Sequence, residues 1–309
     1  MAERPLDAVT GAFSFTGRAI AAHLLAEGRE VMTLVRRAPS VDPFGGRVRA
    51  VPFDVDDPLR LGADLAGVDT LYNTFWIRFP RGDLTYEVAV ERTLRLVEAA
   101  TRARVRRLVH VSVVNASETG PTAYFAAKAR LEREIRGSGL SHAIVRPTLT
   151  YGEEDILVNN LCWILRRFPI LGVPGDGTYR LQPVHVDDVA AICVRAGRDP
   201  GDPIVDAAGP EILVFDDFVR LLGGAVDSRT RVLHLPPPIA LAASGLIGIA
   251  LRDVVLTADE VTELTGSVLV SSAPPAGTTS FPSWVEAHAD RLGRRYHSEL
   301  ARHYRPPRE

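Results

Sequence analysis

The sequence predicts an α/β fold in which a doubly wound parallel sheet is followed by a smaller, mostly C-terminal lobe. Short β-branched runs alternate with helical patterns through the first two-thirds of the chain, which is the signature of successive βαβ units. A turn containing Gly11 and Gly17 joins the first such run to the first helical pattern. Beyond Thr148 the texture changes: Pro169, Gly172, Pro174, Gly175 and Gly177 crowd one stretch, and a helical C-terminal third follows. These changes divide the chain into a sheet domain of residues 1–150, with a returning segment near 180–210, and a lobe of residues 151–309.

Taken in order, strands are expected at 7–10, 30–35, 49–52, 70–74, 107–113 and 142–146, with 203–206 returning to the sheet. Helices are expected at 16–27, 84–103, 122–138 and 156–167. Gly28 follows the first helix where a left-handed cap is needed. The helix from Leu84 shows apolar residues at Val88, Val90, Leu94, Val97 and Ala100, close to a 3.6-residue period.

Composition narrows the function classes. The 309 residues carry a net charge of −2, so the chain has no long-range field for gathering nucleic acid. Arg102, Arg104, Arg106 and Arg107 flank a strand and read as a solvated face. Cys162 and Cys193 lie in apolar segments without a metal-ligand pattern, so they read as buried free thiols. The N-terminus shows no secretory pattern, and with the free thiols this points to the cytoplasm. The uncharged run at 235–251 leaves only 13 residues between its opening prolines and Arg252, too few for a bilayer span. It reads as a buried helix or a subunit contact, and the latter admits a homodimer.

The turn Thr10-Gly11-Ala12-Phe13-Ser14-Phe15-Thr16-Gly17 has the form of a dinucleotide fingerprint whose middle position is Ser14. Gly11 allows the tight turn and Gly17 allows close packing of helix on strand. Backbone N–H groups around Ser14, Phe15 and Thr16, aided by the helix dipole, are placed to receive a pyrophosphate. The second strand ends Val35-Arg36-Arg37, without the carboxylate that holds a ribose 2′-OH. Planar guanidinium groups there suit a 2′-phosphate, so NADP(H) is the preferred cofactor, with NAD(H) left open. By their positions in the βα series, Asp54 and Val55 fall beside the adenine, and Asn73 and Thr74 beside the adenosine ribose. Phe75, Trp76, Tyr151 and Trp163 read either as core or as the wall of an apolar small-molecule substrate site. Arg166, Arg167 and Arg180 could bind a substrate phosphate.

Tyr124 and Lys128 stand one helical turn apart on a common face. A phenol exchanges a proton near neutrality only if its phenolate is stabilised, which a nearby ammonium does. Of the 36 basic residues, Lys128 is the sole lysine. A lysine placed at random would fall four residues after one of the seven tyrosines only roughly 2% of the time. Ser112, near the end of the fifth strand, is the candidate to polarise a substrate oxygen, with Asn115 and Ser117 behind it.

Together these residues resemble the extended and atypical short-chain dehydrogenase/reductase superfamily. The resemblance runs through the turn at Gly11 and Gly17, His110-Val111-Ser112, Tyr124 with Lys128, Arg146-Pro147-Thr148, Tyr151-Gly152 and the segment from Gln182 to Ala190. It implies a Rossmann fold, and it places Pro147 and Thr148 at the nicotinamide carboxamide; the segment containing His185 and Asp188 becomes a structural turn. The closest likeness is to the branch holding NmrA-type regulators and the accessory subunit of respiratory complex I. There are two departures: the turn lacks its middle glycine, and the position of the extended members' catalytic Ser/Thr falls on Val114. Two functions follow as expectations. One is an NADP(H)-dependent oxidoreductase or epimerase using Tyr124, Lys128 and Ser112; the other is a non-catalytic NADP(H)-binding protein.

Overall fold

The computed structural model describes residues 4–36 and 41–304. The chain begins β1 (Leu6–Thr10), α1 (Phe15–Ala26), β2 (Glu30–Val35), β3 (Val48–Pro52), α2 (Pro58–Asp64), β4 (Val68–Asn73), α3 (Tyr86–Arg102), β5 (Arg107–Val111), α4 (Ala123–Gly137) and β6 (His142–Pro147). It continues through β7 (Leu149–Tyr151), α5 (Ile156–Leu165), β8 (Ile170–Pro174), β9 (Arg180–Leu181), β10 (Pro183–His185), α6 (Val186–Ala196) and β11 (Ile204–Ala207). The remainder is β12 (Leu213–Val214), α7 (Phe215–Ala225), β13 (Arg231–Leu235), α8 (Pro237–Leu251), α9 (Ala258–Thr265), α10 (Phe281–His288) and α11 (Glu299–His303). Contacts group residues 1–147 and 186–207 into one unit, and residues 148–185 and 208–309 into a second.

The first unit is built on a seven-stranded sheet in the order β11-β6-β5-β4-β1-β2-β3, with every pairing parallel. Strand order reverses between β1 and β4, and in such sheets ligands bind beyond the carboxyl ends of the strands at that switch point. The central strands are buried almost throughout, as strands covered by helices on both faces must be, and Asp7, Thr33, Arg107 and His110 are buried among their apolar residues. Gly17, Ile20, Ala21 and Leu24 form the buried stripe of α1, and Gly28 ends it at φ 76°.

Two readings of the sequence change. The buried face of α3 runs Tyr86, Ala89, Val90, Thr93, Leu96, Val97 and Ala100, while Val88 and Leu94 are only half-buried. Periodicity in large apolar residues misplaced the stripe because small residues, Ala89 and Thr93, form its centre. Nor are the arginines around β5 uniformly a solvated face. The Arg107 side chain is 1% exposed and donates to Ala196 O, Ser141 Oγ and Gly201 O. A guanidinium can be buried when its fork of N–H groups is satisfied in this way.

At the amino ends of β1 and β4, the buried Asp7 receives the Arg29 guanidinium, which also reaches Asp69 Oδ2 at 2.7 Å. Arg106 completes the chain of charges, its Nε 2.7 Å from Asp69 Oδ1. Its hydrogen bonds hold the Asp69 carboxyl down at about 2.

The second unit contains three two-stranded pairings, parallel β10–β7, antiparallel β12–β9 and parallel β13–β8. Tyr151, Cys162, Phe218, Phe281 and Trp284 are central to its core. Tyr151 therefore belongs to the core, with ring centroids 4.8 Å from Phe281 and 5.1 Å from Trp284. Arg166 and Arg167 donate to backbone carbonyls, including Leu292 O and Gly293 O, so they act as ties within this unit. Both cysteines are buried and free, each thiol pushed up to about 12 by desolvation. The α8 helix is not the buried helix its composition suggested: only Ala240, Ser244 and Gly248 are fully buried, and Leu241, Ala243, Ile247 and Leu251 are half-buried.

Removing one partner of a buried ion pair leaves an uncompensated charge, so Asp7→Ala is expected to lower stability by about 3 kcal/mol. Arg106→Ala, which breaks a half-exposed pair, is expected to cost under about 1 kcal/mol. Denaturant unfolding of the two variants checks the contrast.

Candidate functional site

The turn after β1 is shaped by what it cannot hold. A Cβ at Gly17 would lie 2.2 Å from Gly11 O, so only glycine lets the first turn of α1 sit this close to the end of β1. Gly11 has φ 68°, in the left-handed region that a residue without Cβ enters freely. Ser14 N donates to Gly11 O at 2.8 Å and its hydroxyl to the same oxygen at 2.6 Å, which closes the turn. Ala12 N is taken by Thr33 Oγ1 at 2.9 Å. The N–H groups that open α1, at Phe15, Thr16 and Gly17, have no intrahelical acceptor, as at any helix start. The first turn carries no acidic residue and Ser14 makes no side-chain cap. A helix start with open donors and no carboxylate is a place for an anionic group. On these observations the turn fits a dinucleotide pyrophosphate.

Neighbouring strands supply the surroundings. Thr10 Oγ1 receives Thr74 N at 2.7 Å and Phe75 N at 3.0 Å, and Thr74 Oγ1 donates to Thr10 O at 2.6 Å. Thr74 and Ser14 thus lie against Gly11. Asn73 is wholly buried, and its amide works between strands: Oδ1 receives Thr10 Oγ1 at 3.1 Å and Nδ2 is 3.0 Å from His110 Nδ1. Val55 packs its side chain into the core, whereas Asp54 is exposed and receives Asp56 N at 3.0 Å. Arg36 is exposed just beyond β2; Arg37 lies outside the described residues. Pro147 ends β6, and the buried Thr148 opens the second unit.

Around α4 the structure gathers a second group. Tyr124 packs its ring edge-on against Trp76 and Tyr86, at centroid distances of 6.0 and 5.9 Å. The Lys128 ammonium, 2% exposed as a residue, sits 4.3 Å over the Trp76 ring and donates to Val111 O at 2.9 Å. The one ring therefore touches both members of the pair. Burial drives the Lys128 pKa down to about 7, against the opposing pull of the Glu132 charge. Ser112 donates its hydroxyl proton to Glu132 Oε1, and Arg146 clasps the same carboxylate through Nε at 2.9 Å and through Nη2.

Sequence reasoning did not place Glu132 or His110 in this group, and it read Trp76 as either core or the wall of a substrate site. For Glu132 a signal existed: Tyr124, Lys128 and Glu132 recur every four residues, on one face of a helix. His110 is fully buried with its Nε2 unpartnered, and desolvation, aided by the Lys128 charge, holds its pKa well below the ordinary value. The Trp76 Nε1 is likewise buried without a partner. Among the described residues no cluster of His, Cys, Asp and Glu could hold a metal ion.

Gly17→Ala is expected to weaken nicotinamide dinucleotide binding at least ~10-fold, because the helix start must move from the turn; a fluorescence titration with NADPH measures it. Lys128 gives a stability prediction. Its folded pKa of about 7 lies below the ordinary 10.5, so between those values the unfolded chain binds more protons. Stability contributed by this group therefore rises with pH across that window. The melting temperature of Lys128→Met, compared with the parent from pH 7 to 10, should lack that rise.

Residues 11–200 match the family described as NAD(P)H-binding. The chain is 26% identical over 283 residues to NADH dehydrogenase (ubiquinone) 1 alpha subcomplex subunit 9, mitochondrial, of Arabidopsis thaliana, a match covering 85% of this chain and 70% of that protein. It is 29% identical over 248 residues to ceramide reductase of Caulobacter vibrioides, covering 79% of this chain and 78% of that one. Among solved structures, MoeE5 in complex with UDP-glucose and NAD superposes with a TM-score of 0.69 at 20% identity, over 93% of this chain and 98% of that one. That likeness is one of fold. The match over residues 11–200, taken with the seven-stranded parallel sheet and the turn at Gly11 and Gly17, makes this chain a member of the NAD(P)H-binding family within the extended short-chain dehydrogenase/reductase superfamily.

Proposed function

We propose that the chain is an NADP(H)-dependent oxidoreductase or epimerase acting at a carbonyl or carbinol carbon, with Tyr124 as general acid/base and Lys128 as its electrostatic partner. The observation that supports this most is the burial of the sole lysine one helical turn from Tyr124, against the ring that Tyr124 also touches. A charge kept there has few solvating partners, so its field acts on the neighbouring phenol in a low-dielectric setting.

In this reading the N–H groups at the start of α1 hold the pyrophosphate, with Gly11, Ser14, Phe15, Thr16 and Gly17 shaping the cradle. Arg36 and Arg37 take the 2′-phosphate, and Asp54 and Thr74 border the adenosine; Val55 and Asn73, expected there from their place in the βα series, are instead committed to the core and to the strand–strand contact. Pro147 and Thr148 meet the carboxamide. When bound, the nicotinamide supplies or accepts the hydride. Tyr124 then gives a proton to the reduced oxygen or withdraws one from a carbinol, and Lys128 lowers the cost of its phenolate. Ser112, expected to polarise a substrate oxygen, gives its one proton to Glu132, so its oxygen can only accept, from a carbinol hydroxyl, and does not polarise a carbonyl.

A second reading, NADP(H) binding without turnover, is favoured by two details. Val114 stands where the resemblance expects a catalytic hydroxyl, and the Ser112 proton is committed to Glu132. The likeness to a subunit of NADH dehydrogenase is in keeping with it. The ceramide reductase likeness argues instead for including ceramides in a substrate panel.

Calorimetry should show tighter binding of NADPH than of NADH. Arg36→Ala should weaken NADPH about 10-fold, the loss of one charge-assisted contact, while changing NADH little. With a substrate found by NADPH oxidation, Tyr124→Phe should lower kcat at least ~100-fold with cofactor affinity unchanged. A kcat left intact overturns the role of Tyr124. Absence of oxidation across the panel, with binding retained, favours the second reading.

A further inference from the structure

The α8 helix has no charged side chain along its 15 residues, and its apolar character faces both ways. Ala240, Ser244 and Gly248, at spacings of four, form the covered face. The opposite face carries Ile239, Ala242, Leu246 and Ile249, at spacings of three and four. Ile239 is 55% exposed, Leu246 71% and Ile249 76%. A helix of a water-bathed protein normally turns polar groups outward; one that is apolar all round is covered by something.

The neighbouring ribbon continues the pattern. In the β8–β13 pairing, Ile170 lies opposite Arg231 and Gly172 opposite Leu233, and all four are exposed. Among the described residues ten large apolar side chains are exposed, and six of them fall in this substructure: Phe168, Ile170, Leu233 and the three of α8. The charge pattern points to the occupant. Between the exposed Asp227 and the buried Asp253 there is no carboxylate, while Arg229, Arg231 and Arg252 are exposed, two before the helix and one at its end. The acid that follows, Asp253, is buried and receives Leu300 N, Glu299 N and the Tyr296 hydroxyl. A second copy of the chain would bring the same arginines to the contact and gain nothing from their sign. An apolar stripe bracketed by cations matches hydrocarbon beneath a layer of anionic headgroups.

We propose that α8, with the outward face of β8 and β13, is a docking surface that seats the second unit on an anionic lipid bilayer. No helix among the described residues is long and apolar enough to cross a membrane, so the helix lies in the interface. The contact does not depend on the catalytic reading above, because none of its residues belongs to the cofactor or Tyr124 groups.

The test is flotation of the full chain with phosphatidylcholine vesicles, with and without about one third phosphatidylglycerol. The parent should float with the anionic vesicles and at least ~10-fold less with the neutral ones, and added salt should weaken it. The double variant Leu246→Glu/Ile249→Glu, altered only at exposed positions, should lose at least ~10-fold in binding while keeping its melting temperature and NADPH affinity. Arg229→Glu/Arg231→Glu tests the charge separately and should lose the preference for anionic vesicles. Failure of the parent to float, or equal flotation of the parent and the Leu246/Ile249 variant, overturns the proposal. So does light scattering that shows a dimer without lipid which the Leu246/Ile249 variant converts to monomer, since the face would then belong to a second copy.

Discussion

The cofactor half of this molecule depends on one close approach, that of the α1 start to the carbonyl of Gly11. With no Cβ at Gly17 to hold them apart, the helix axis can run straight from the end of β1. Its first N–H groups, which have no intrahelical acceptor, then lie at the carboxyl end of β1, the strand at the switch point. Other features support this approach. Thr10 gathers the backbone N–H groups of Thr74 and Phe75, and Thr33 receives Ala12 N, so both flanking strands hold the turn in place. The phosphate site proposed for this turn is made of backbone, which must be rigid, and the side chains around it provide that rigidity.

The α4 group is organised by burial of charge. Lys128, Glu132 and Arg146 enclose two cations and one carboxylate near the ends of β5 and β6, with Ser112 as a further donor. The Arg146 fork satisfies the carboxylate, so Lys128 is left with Val111 O and the face of Trp76 as its near partners. This explains why burial outweighs the Glu132 attraction in setting its protonation. It also explains why an arginine-dominated chain keeps one lysine: a guanidinium stays charged and needs a planar set of acceptors that this corner lacks. The same logic separates the two ends of the sheet. Charges at the amino ends of β1 and β4 pair with one another and support the fold, whereas polar groups at the carboxyl ends keep N–H donors and two ring nitrogens unmatched.

Much of the fold was legible because its signals are local. The strands β1, β2, β3 and β6 announce themselves as short apolar runs, and α1 ends where a glycine can turn left-handed. The α2 helix went unread because seven residues carry little periodicity; its Asp57 cap and Pro58 start were the available cues. Within the candidate site, Gly11, Ser14, Gly17, Thr74, Tyr124 and Lys128 could be named from spacing. Glu132 offered only its four-residue spacing after Lys128, and Trp76 stayed open between core and substrate wall, since each acquires its place only when α4 meets β5 and the segment after β4.

By itself the sequence determined the order of βαβ units, the glycines that the turn after β1 requires and the tyrosine–lysine spacing on one helix, because each is a property of neighbours along the chain. Only the tertiary structure decided that Arg107 is buried, that Ser112 gives its proton to Glu132, and that α8 turns Leu246 and Ile249 to the outside. Burial and hydrogen-bond partnership depend on what arrives from distant segments. A composition that is apolar throughout cannot say which of its faces will be covered.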